Sequence, residues 1–161
     1  MRFENITADN RCNVNQFLNK WWGFTLIILR WGEEYNAENE EGIIALNESD
    51  EICGALIYRI TGEECEILML NAVPEGCGIG TGLVKEAIKT ALAKNCTKLK
   101  VVTTNDNLNA IGFYQKIGMR LTKIYPGAMD YVRAVKHGIP LIGVNGIPLR
   151  DEFEFEMELM T

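Results

Sequence analysis

Four glycines at alternate positions, between a strand pattern and a helix pattern, most constrain what this chain can fold into. They are Gly76, Gly78, Gly80 and Gly82. Before them, an apolar run ending at Val73 is rich enough for a buried strand. After them, apolar residues recur at four-residue spacing on one face of a predicted helix. Those residues are Ile79, Leu83, Ala87 and Ala91. The glycines therefore lie where a buried strand turns into a helix.

Glycine costs a helix roughly 1 kcal/mol per residue relative to alanine, so four glycines need a reason. One reason is a ligand that approaches bare backbone, because the unpaired N–H groups at a helix N-terminus bind phosphate. Tight packing or a flexible turn is the alternative. The spacing excludes a G-x-G-x-x-G dinucleotide motif, whose third glycine falls on Thr81, Leu83 or Lys85 in the three frames. It also excludes a P-loop.

Composition sets further bounds. A chain of 161 residues that is 47% hydrophobic suits one globular domain over residues 1–161. The net charge of −6 argues against a nucleic-acid partner and is compatible with a cationic amine substrate. No apolar run is long enough to span a membrane, and the N-terminus has no signal-peptide character. Five cysteines without a C-x-x-C pair predict free thiols in a reducing cytoplasm. A single histidine, His137, argues against zinc, so no metal is expected.

The remaining patterns predict an alternation of strands and helices. Three antiparallel strands are predicted at Gly42–Leu46, Ile52–Ile60 and Cys65–Val73. A two-residue loop at Gly62-Glu63 would place Cys65 opposite Ile60 and Cys53 opposite Ala72. The later elements predicted are a strand at Lys98–Thr104, a helix through Ala110 and Tyr114, a strand at Leu121–Tyr125, a short helix at Ala128–Val135 and a final strand through Phe153 and Leu159. The strand at Lys98–Thr104 should be parallel to the one before the glycines, because a helix joins them.

Helix caps and one loop can also be predicted from the sequence. Thr7 or Asp9 is expected to cap the first helix, and Thr104, Asn105 or Asp106 the helix through Tyr114. The charged stretch Gly32–Glu41 is expected to be a mobile loop. In the final strand, glutamates alternate with Phe153 and Phe155. Residues 126–150 have no assigned role.

Two motifs resemble the GNAT superfamily of N-acetyltransferases. The stretch Glu75–Gly80 is similar to the acyl-CoA loop of that family, Q/R-x-x-G-x-G/A, at all but the first place. The stretch Asn107–Met119 is similar to the later motif N-x-x-A-x-x-F/Y-Y-x-x-x-G-F/M, after one further helix and strand. The segment TTNDN at 103–107 and the segment IPLIGVNGIPLRDE at 139–152 resemble a bacterial-type subgroup of unassigned substrate.

The resemblance implies an α/β fold of GNAT type, with a mixed, mostly antiparallel sheet and helices on both faces. In that fold two adjacent parallel strands splay apart, here Cys65–Val73 and Lys98–Thr104. It also implies an acetyl-CoA-dependent N-acetyltransferase that acts by direct attack of a primary amine on a small molecule or peptide. A non-catalytic acyl-CoA-binding or regulatory module on the same fold is the alternative. A homodimer is possible.

The resemblance also assigns residues. Tyr114 would protonate the leaving thiolate. Val73 and Asn71, on the splayed strand, would bond the pantetheine amides and the thioester oxygen through backbone groups. The residues implied in coenzyme A binding are Val73, Gly76, Cys77, Gly78, Ile79, Gly80, Thr81, Gly82, Asn107, Ala110, Phe113 and Tyr114. Glu75 departs from the family's Gln or Arg, and is expected to point outward because the loop binds mainly through backbone. No general base is assigned, although four carboxylates are candidates: Glu33, Glu34, Glu66 and Asp130.

Overall fold

The protein is described by a computed structural model, which covers residues 1–23 and 25–160. Its strands are β1 (Arg2–Asn5), β2 (Leu26–Leu29), β3 (Glu33–Asn36), β4 (Glu41–Leu46), β5 (Ile52–Thr61), β6 (Glu64–Ala72), β7 (Lys98–Thr104), β8 (Arg120–Tyr125) and β9 (Glu152–Glu158). Its α-helices are α1 (Arg11–Trp22), α2 (Ile79–Ala93), α3 (Leu108–Lys116) and α4 (Ala128–Val135). In the described part of the chain, no helix is long and apolar enough to cross a membrane.

The strands form a mixed sheet in the order β1-β4-β5-β6-β7-β9-β8, and β2 and β3 form a separate two-stranded sheet. Within that order β6 and β7 are the parallel neighbours, as the helical connection through α2 predicts. The predicted α/β class with a mixed sheet is confirmed.

Backbone contacts divide the chain into two compact units. The first contains residues 1–23, 25–27, 35–99 and 159–160, and the second residues 28–34 and 100–158.

In the first unit, β5 is the most deeply buried strand. Every residue from Cys53 to Tyr58 is buried, and both α1 and α2 contact β5. Because successive side chains of a strand point to opposite faces, this burial means that both faces of β5 are covered.

Two glycines let α2 approach the strands of the first unit. A Cβ atom at Gly54, on β5, would lie 2.7 Å from Ile79 Cγ2 and 3.0 Å from Leu83 Cδ1. A Cβ atom at Gly82, on α2, would lie 2.4 Å from the ring of Phe3. Gly82 therefore has a packing role, which is one of the two reasons that the sequence left open for the glycines.

The β5–β6 hairpin confirms one predicted pairing and corrects the other. Cys65 lies opposite Ile60, as predicted. However, a bulge interrupts the register between Ile57 and Tyr58, so Gly54 lies opposite Ala72. Cys53 consequently meets Val73, whose N–H donates to the Cys53 carbonyl at 2.8 Å. The extra residue of a bulge leaves no periodic signal in a strand that is apolar on both faces.

The prediction of a mobile loop at Gly32–Glu41 is wrong. The segment contains β3, a 3-10 turn at Ala37–Asn39 and the first residue of β4. Ala37 is fully buried, and the guanidinium of Arg11 donates to the carbonyls of Ala37 and Glu40. This arginine lies far away in the sequence, so local composition did not reveal the contact.

Both predicted helix caps are also wrong. Asn10 precedes α1, and its side-chain oxygen accepts the N–H of Thr7 at 2.7 Å. Asn107 caps α3, because its side-chain oxygen accepts the N–H of Ala110 at 3.1 Å.

In the second unit, β8 pairs with β9 in antiparallel register, with Leu121 opposite Phe155. A small apolar core packs Met129 and Val132 of α4 against Ile28 of β2 and against Leu149, which precedes β9. The predicted bounds of α4 and β7 are confirmed. The glutamates of β9 differ from the usual pattern of a half-buried strand, since Glu152 and Glu154 are 2% and 0% exposed.

The glycine at position 54 gives a stability prediction. We expect Gly54→Ala to lower the free energy of unfolding by about 1–3 kcal/mol, because the added methyl overpacks the contact with α2. Gly112→Ala is the matched control, since a Cβ at this α3 position meets nothing within 4 Å. It should stabilise the protein by about 0.5–1 kcal/mol through helix propensity. Urea unfolding of both variants measures the difference, and a Gly54→Ala protein as stable as wild type would contradict the packing role.

Candidate functional site

The connection between β6 and α2 is an exposed turn with two left-handed glycines. Gly76 and Gly78 have φ of 78° and 80°, a conformation that side chains disfavour. A Cβ atom at either glycine would meet nothing within 4 Å, so the space beside the backbone is open. Residues 74–78 are all exposed. The turn thus presents bare backbone to solvent.

The first amides of α2 are available to a ligand. Gly78 is the N-cap, and the N–H of Gly82 is the first amide of the helix to bond within it, to the Gly78 carbonyl at 3.0 Å. The amides from Gly78 to Thr81 therefore have no intrahelical acceptor. The first turn of α2 contains no acidic residue. This end of the helix carries partial positive charge and fits a phosphate group.

Gly82, which the resemblance includes among the ligand-binding residues, stands apart from this group. Its amide is used within the helix, and its Cα faces the ring of Phe3. The residues that fit an anion are Gly76, Cys77, Gly78, Ile79, Gly80 and Thr81.

The end of β6 also differs from the expectation. Val73 donates its N–H to Cys53, and Asn71 lies opposite Ala55 on the same strand pair. Because the hydrogen-bonding groups of alternate residues point to the same edge of a strand, the backbone groups of both residues face β5. The backbone groups of Leu70 and Ala72 point to the other edge. Ala72, rather than Val73 or Asn71, is therefore positioned to offer its amide away from β5.

The second motif lies in the other unit, on α3. Asn107 is exposed and caps the helix. Tyr114 is 6% exposed, and its ring packs at 5.3 Å from Phe113 and 6.0 Å from Phe155. Burial raises the pKa of the Tyr114 phenol. The hydroxyl therefore stays protonated at neutral pH and can act as a proton donor but not as a base.

Of the four carboxylates considered as a general base, two are ion-paired. Glu33 and Asp130 each pair with an arginine three residues away. Glu66 is buried on β6, at 5% exposure, and Glu34 is exposed. None of the four is distinguished as a base by its surroundings.

Glu154 is a buried carboxylate that the sequence reasoning missed. Its Oε1 accepts the Tyr125 hydroxyl at 2.9 Å and the Arg30 guanidinium at 3.1 Å, and the Lys123 ammonium lies 3.2 Å from Oε2. Burial opposes ionisation, but the bond from Tyr125 and the charge of Lys123 prevail and lower the pKa of Glu154. A carboxylate held ionised by two cations and a phenol is suited to structure rather than to proton abstraction.

The segment TTNDN binds the segment that follows α4. The side-chain oxygen of Asn105 accepts the N–H groups of Arg150 and Asp151, both at 3.0 Å, and its amide group donates to the Pro148 carbonyl at 2.9 Å. Its own N–H donates to the Asp151 carbonyl at 3.0 Å. A single asparagine thus fixes the backbone over 148–151.

Asp106 fixes a second point of the same segment. Its buried carboxylate accepts the Thr104 hydroxyl at 2.5 Å and the Val144 N–H at 2.8 Å. A Cβ atom at Gly143 would lie 2.1 Å from Asp106 Oδ2, so the position needs glycine. The two stretches that the sequence analysis singled out as a subgroup signature are therefore each other's partners. We refer to these contacts of Asn105 and Asp106 as the clasp.

Comparisons with known proteins agree with this geometry. The model of the acetyltransferase (GNAT) family matches residues 12–119. The protein YdhI of Bacillus subtilis strain 168 is 39% identical over 142 residues, which cover 88% of each chain. Among solved structures, a Bacillus subtilis acetyltransferase in complex with CoA superposes with a TM-score of 0.70 at 21% identity, covering 99% of each chain. A GNAT family acetyltransferase of Elizabethkingia anophelis with acetyl-CoA bound has a TM-score of 0.69 at 23% identity, covering 98% of this chain and 97% of that one.

The open amides of α2 give a binding prediction with a charge control. We expect Gly80→Asp to bind CoA at least about tenfold more weakly than Gly80→Asn, because only the aspartate repels phosphate. The same aspartate should stabilise the helix by about 0.3–1 kcal/mol relative to asparagine, since acids favour the first turn. Calorimetry and thermal unfolding measure the two effects. If both variants bind CoA as tightly as wild type, phosphate does not lie at this turn.

Proposed function

Because the chain belongs to the GNAT family of acetyltransferases, we propose that it transfers the acetyl group of acetyl-CoA directly to a primary amine. Acetyl-CoA is the cosubstrate of that family. The amine would belong to a small molecule or a peptide. The observation that carries the proposal is the exposed turn of left-handed glycines, which leads into unpaired amides at the start of α2.

Backbone groups of the first unit would hold the cosubstrate. The amides from Gly76 to Thr81 suit its pyrophosphate, and the edge of β6 that faces away from β5, at Leu70 and Ala72, suits the amides of its pantetheine arm. Cys77 is exposed beside the turn. Glu75 is exposed as well, so its charge can remain in solvent. Asn107, Ala110 and Phe113 of the second unit stay proposed as further contacts.

The reaction joins the amine nitrogen to the acetyl carbon and breaks the bond from that carbon to sulfur. The amine loses one proton and the departing sulfur gains one, so nothing is oxidised or reduced. We propose that the Tyr114 hydroxyl supplies the proton to sulfur. The Tyr114 phenol carries its proton at neutral pH, and because burial raises its pKa, the transfer has to be coupled to the departure of the thiolate.

A module that binds acyl-CoA without turnover is the second candidate. Binding of CoA by calorimetry, together with thiol release from acetyl-CoA across a panel of amines, separates the two. Binding without release on any amine would favour the module, and release would establish the enzyme.

Two tyrosine-to-phenylalanine variants test the proton transfer to sulfur. Tyr114→Phe should lower kcat by roughly 10²-fold or more and leave the Kd of CoA nearly unchanged, because only the acid is lost. No described residue bonds the Tyr114 hydroxyl, so the stability should change little.

Tyr125→Phe is the matched control, since it removes a hydroxyl that does bond a charged group. It should keep kcat and lose about 1.5–3 kcal/mol of stability. Steady-state kinetics and urea unfolding give both quantities for both variants. If Tyr114→Phe keeps the wild-type kcat when chemistry limits the rate, Tyr114 is not the acid.

A further inference from the structure

The second unit contains a cleft that the chemistry described above does not use. Its volume is about 390 Å³, within the range of small-molecule sites. Asp130 of α4 lines it, together with Leu141, Ile142, Arg150 and Asp151 of the segment held by the clasp.

The apolar part of the cleft contains one buried side chain and two exposed ones. Leu149, also in the lining, is 7% exposed and belongs to the small core of this unit. Leu141 and Ile142 are 72% and 56% exposed. Two large aliphatic side chains thus stand in water beside a packed apolar surface, and a ligand with an aliphatic group would cover them.

Of the two arginines of the cleft, one is engaged. Arg133 pairs with Asp130 at 2.9 Å and donates to the carbonyls of Pro140 and Leu149. The guanidinium of Arg150 makes no ion pair with any residue that the structure describes. It is therefore available to a carboxylate.

The two acids of the cleft each retain an oxygen for a cation. Asp130 bonds Arg133 through Oδ1, and Asp151 accepts the Gly127 N–H through Oδ1 at 2.9 Å. Within residues 1–23 and 25–160, neither Oδ2 atom accepts a hydrogen bond. With Arg150, the cleft offers groups of both signs beside an aliphatic surface.

The cleft is also held in shape before any ligand arrives. The clasp bonds the backbone that follows Leu141 and Ile142, at Val144 and at Pro148 to Asp151. The N–H of Leu149 further donates to the Leu141 carbonyl at 2.9 Å. A preformed site spares a ligand the cost of ordering the chain.

We propose that this cleft binds an α-amino acid with an aliphatic side chain. The ammonium would meet Asp130 and Asp151, the carboxylate Arg150, and the side chain Leu141 and Ile142. This proposal rests on the cleft alone and is independent of the acetyl transfer.

Ligand analogues test the binding without any change to the protein. Leucine is titrated into the full chain and followed by the methyl resonances of Leu141 and Ile142, with those of Val144 as an internal reference. Leucine should shift the first two at saturation. Leucinamide, 4-methylpentanoate and glycine, which lack the carboxylate, the amine and the side chain, should each bind roughly tenfold more weakly or worse. Absence of leucine binding, or equal affinity for all four compounds, would overturn the proposal.

Variants then locate the site. Arg150→Gln should weaken leucine roughly tenfold and leave leucinamide unchanged, and Leu141→Ser should weaken both. Val144→Ser is the matched control, since Val144 is 61% exposed on the same segment but does not line the cleft. It should bind like wild type, and a loss in this control equal to that of Leu141→Ser would contradict the assignment.

Discussion

The unpaired amides at the start of α2 are the feature on which the functional account of this chain depends. The first N–H groups of a helix have no backbone partners within the helix. If the start of the helix were buried, other groups would have to accept these hydrogen bonds. Here the connection is exposed, and left-handed glycines at 76 and 78 keep side chains away from it. Glycines lose conformational entropy on folding, but they leave a row of backbone N–H donors that an anion can satisfy.

The glycines of the motif have two different structural roles. Gly76 and Gly78 form the turn. Gly82 has no side chain to clash with the ring of Phe3, so α2 can approach the strands of its unit. Gly54 does the same from the strand side. A motif of evenly spaced glycines thus combines two physical requirements, close ligand approach at one end and close packing at the other.

Much of the fold could be predicted from periodicity, because the local signals agreed with the packing. The hairpin of β5 and β6 and the short α4 lie where their patterns placed them, and α2 buries the apolar face that its pattern indicated. The bulge that interrupts the register between Ile57 and Tyr58 was missed because an apolar strand carries no register signal. The buried Ala37 was missed because its partner Arg11 is distant in the sequence.

The site was predictable only in part, for the same reason. The glycine turn and Tyr114 follow from short motifs. The buried Glu154, in contrast, depends on Arg30 and Tyr125 from other elements, and a glutamate alternating with phenylalanine suggests solvent when read alone. The clasp joins segments whose resemblance to a subgroup was visible, but only the structure shows that Asn105 and Asp106 bond the later segment.

Alkylation of the free cysteines tests the central claim, that the turn before α2 holds the cosubstrate, most directly. Cys77 lies in the turn and Cys12 on α1, and both are exposed, whereas Cys53, Cys65 and Cys96 are buried. Burial also raises the pKa of Cys65 to about 12, so this cysteine stays protonated and does not react with a maleimide. Peptide mapping after a maleimide pulse should show that saturating CoA slows modification of Cys77 and leaves Cys12 unchanged. Equal rates at Cys77 with and without CoA, under conditions where calorimetry shows CoA bound, would contradict the account.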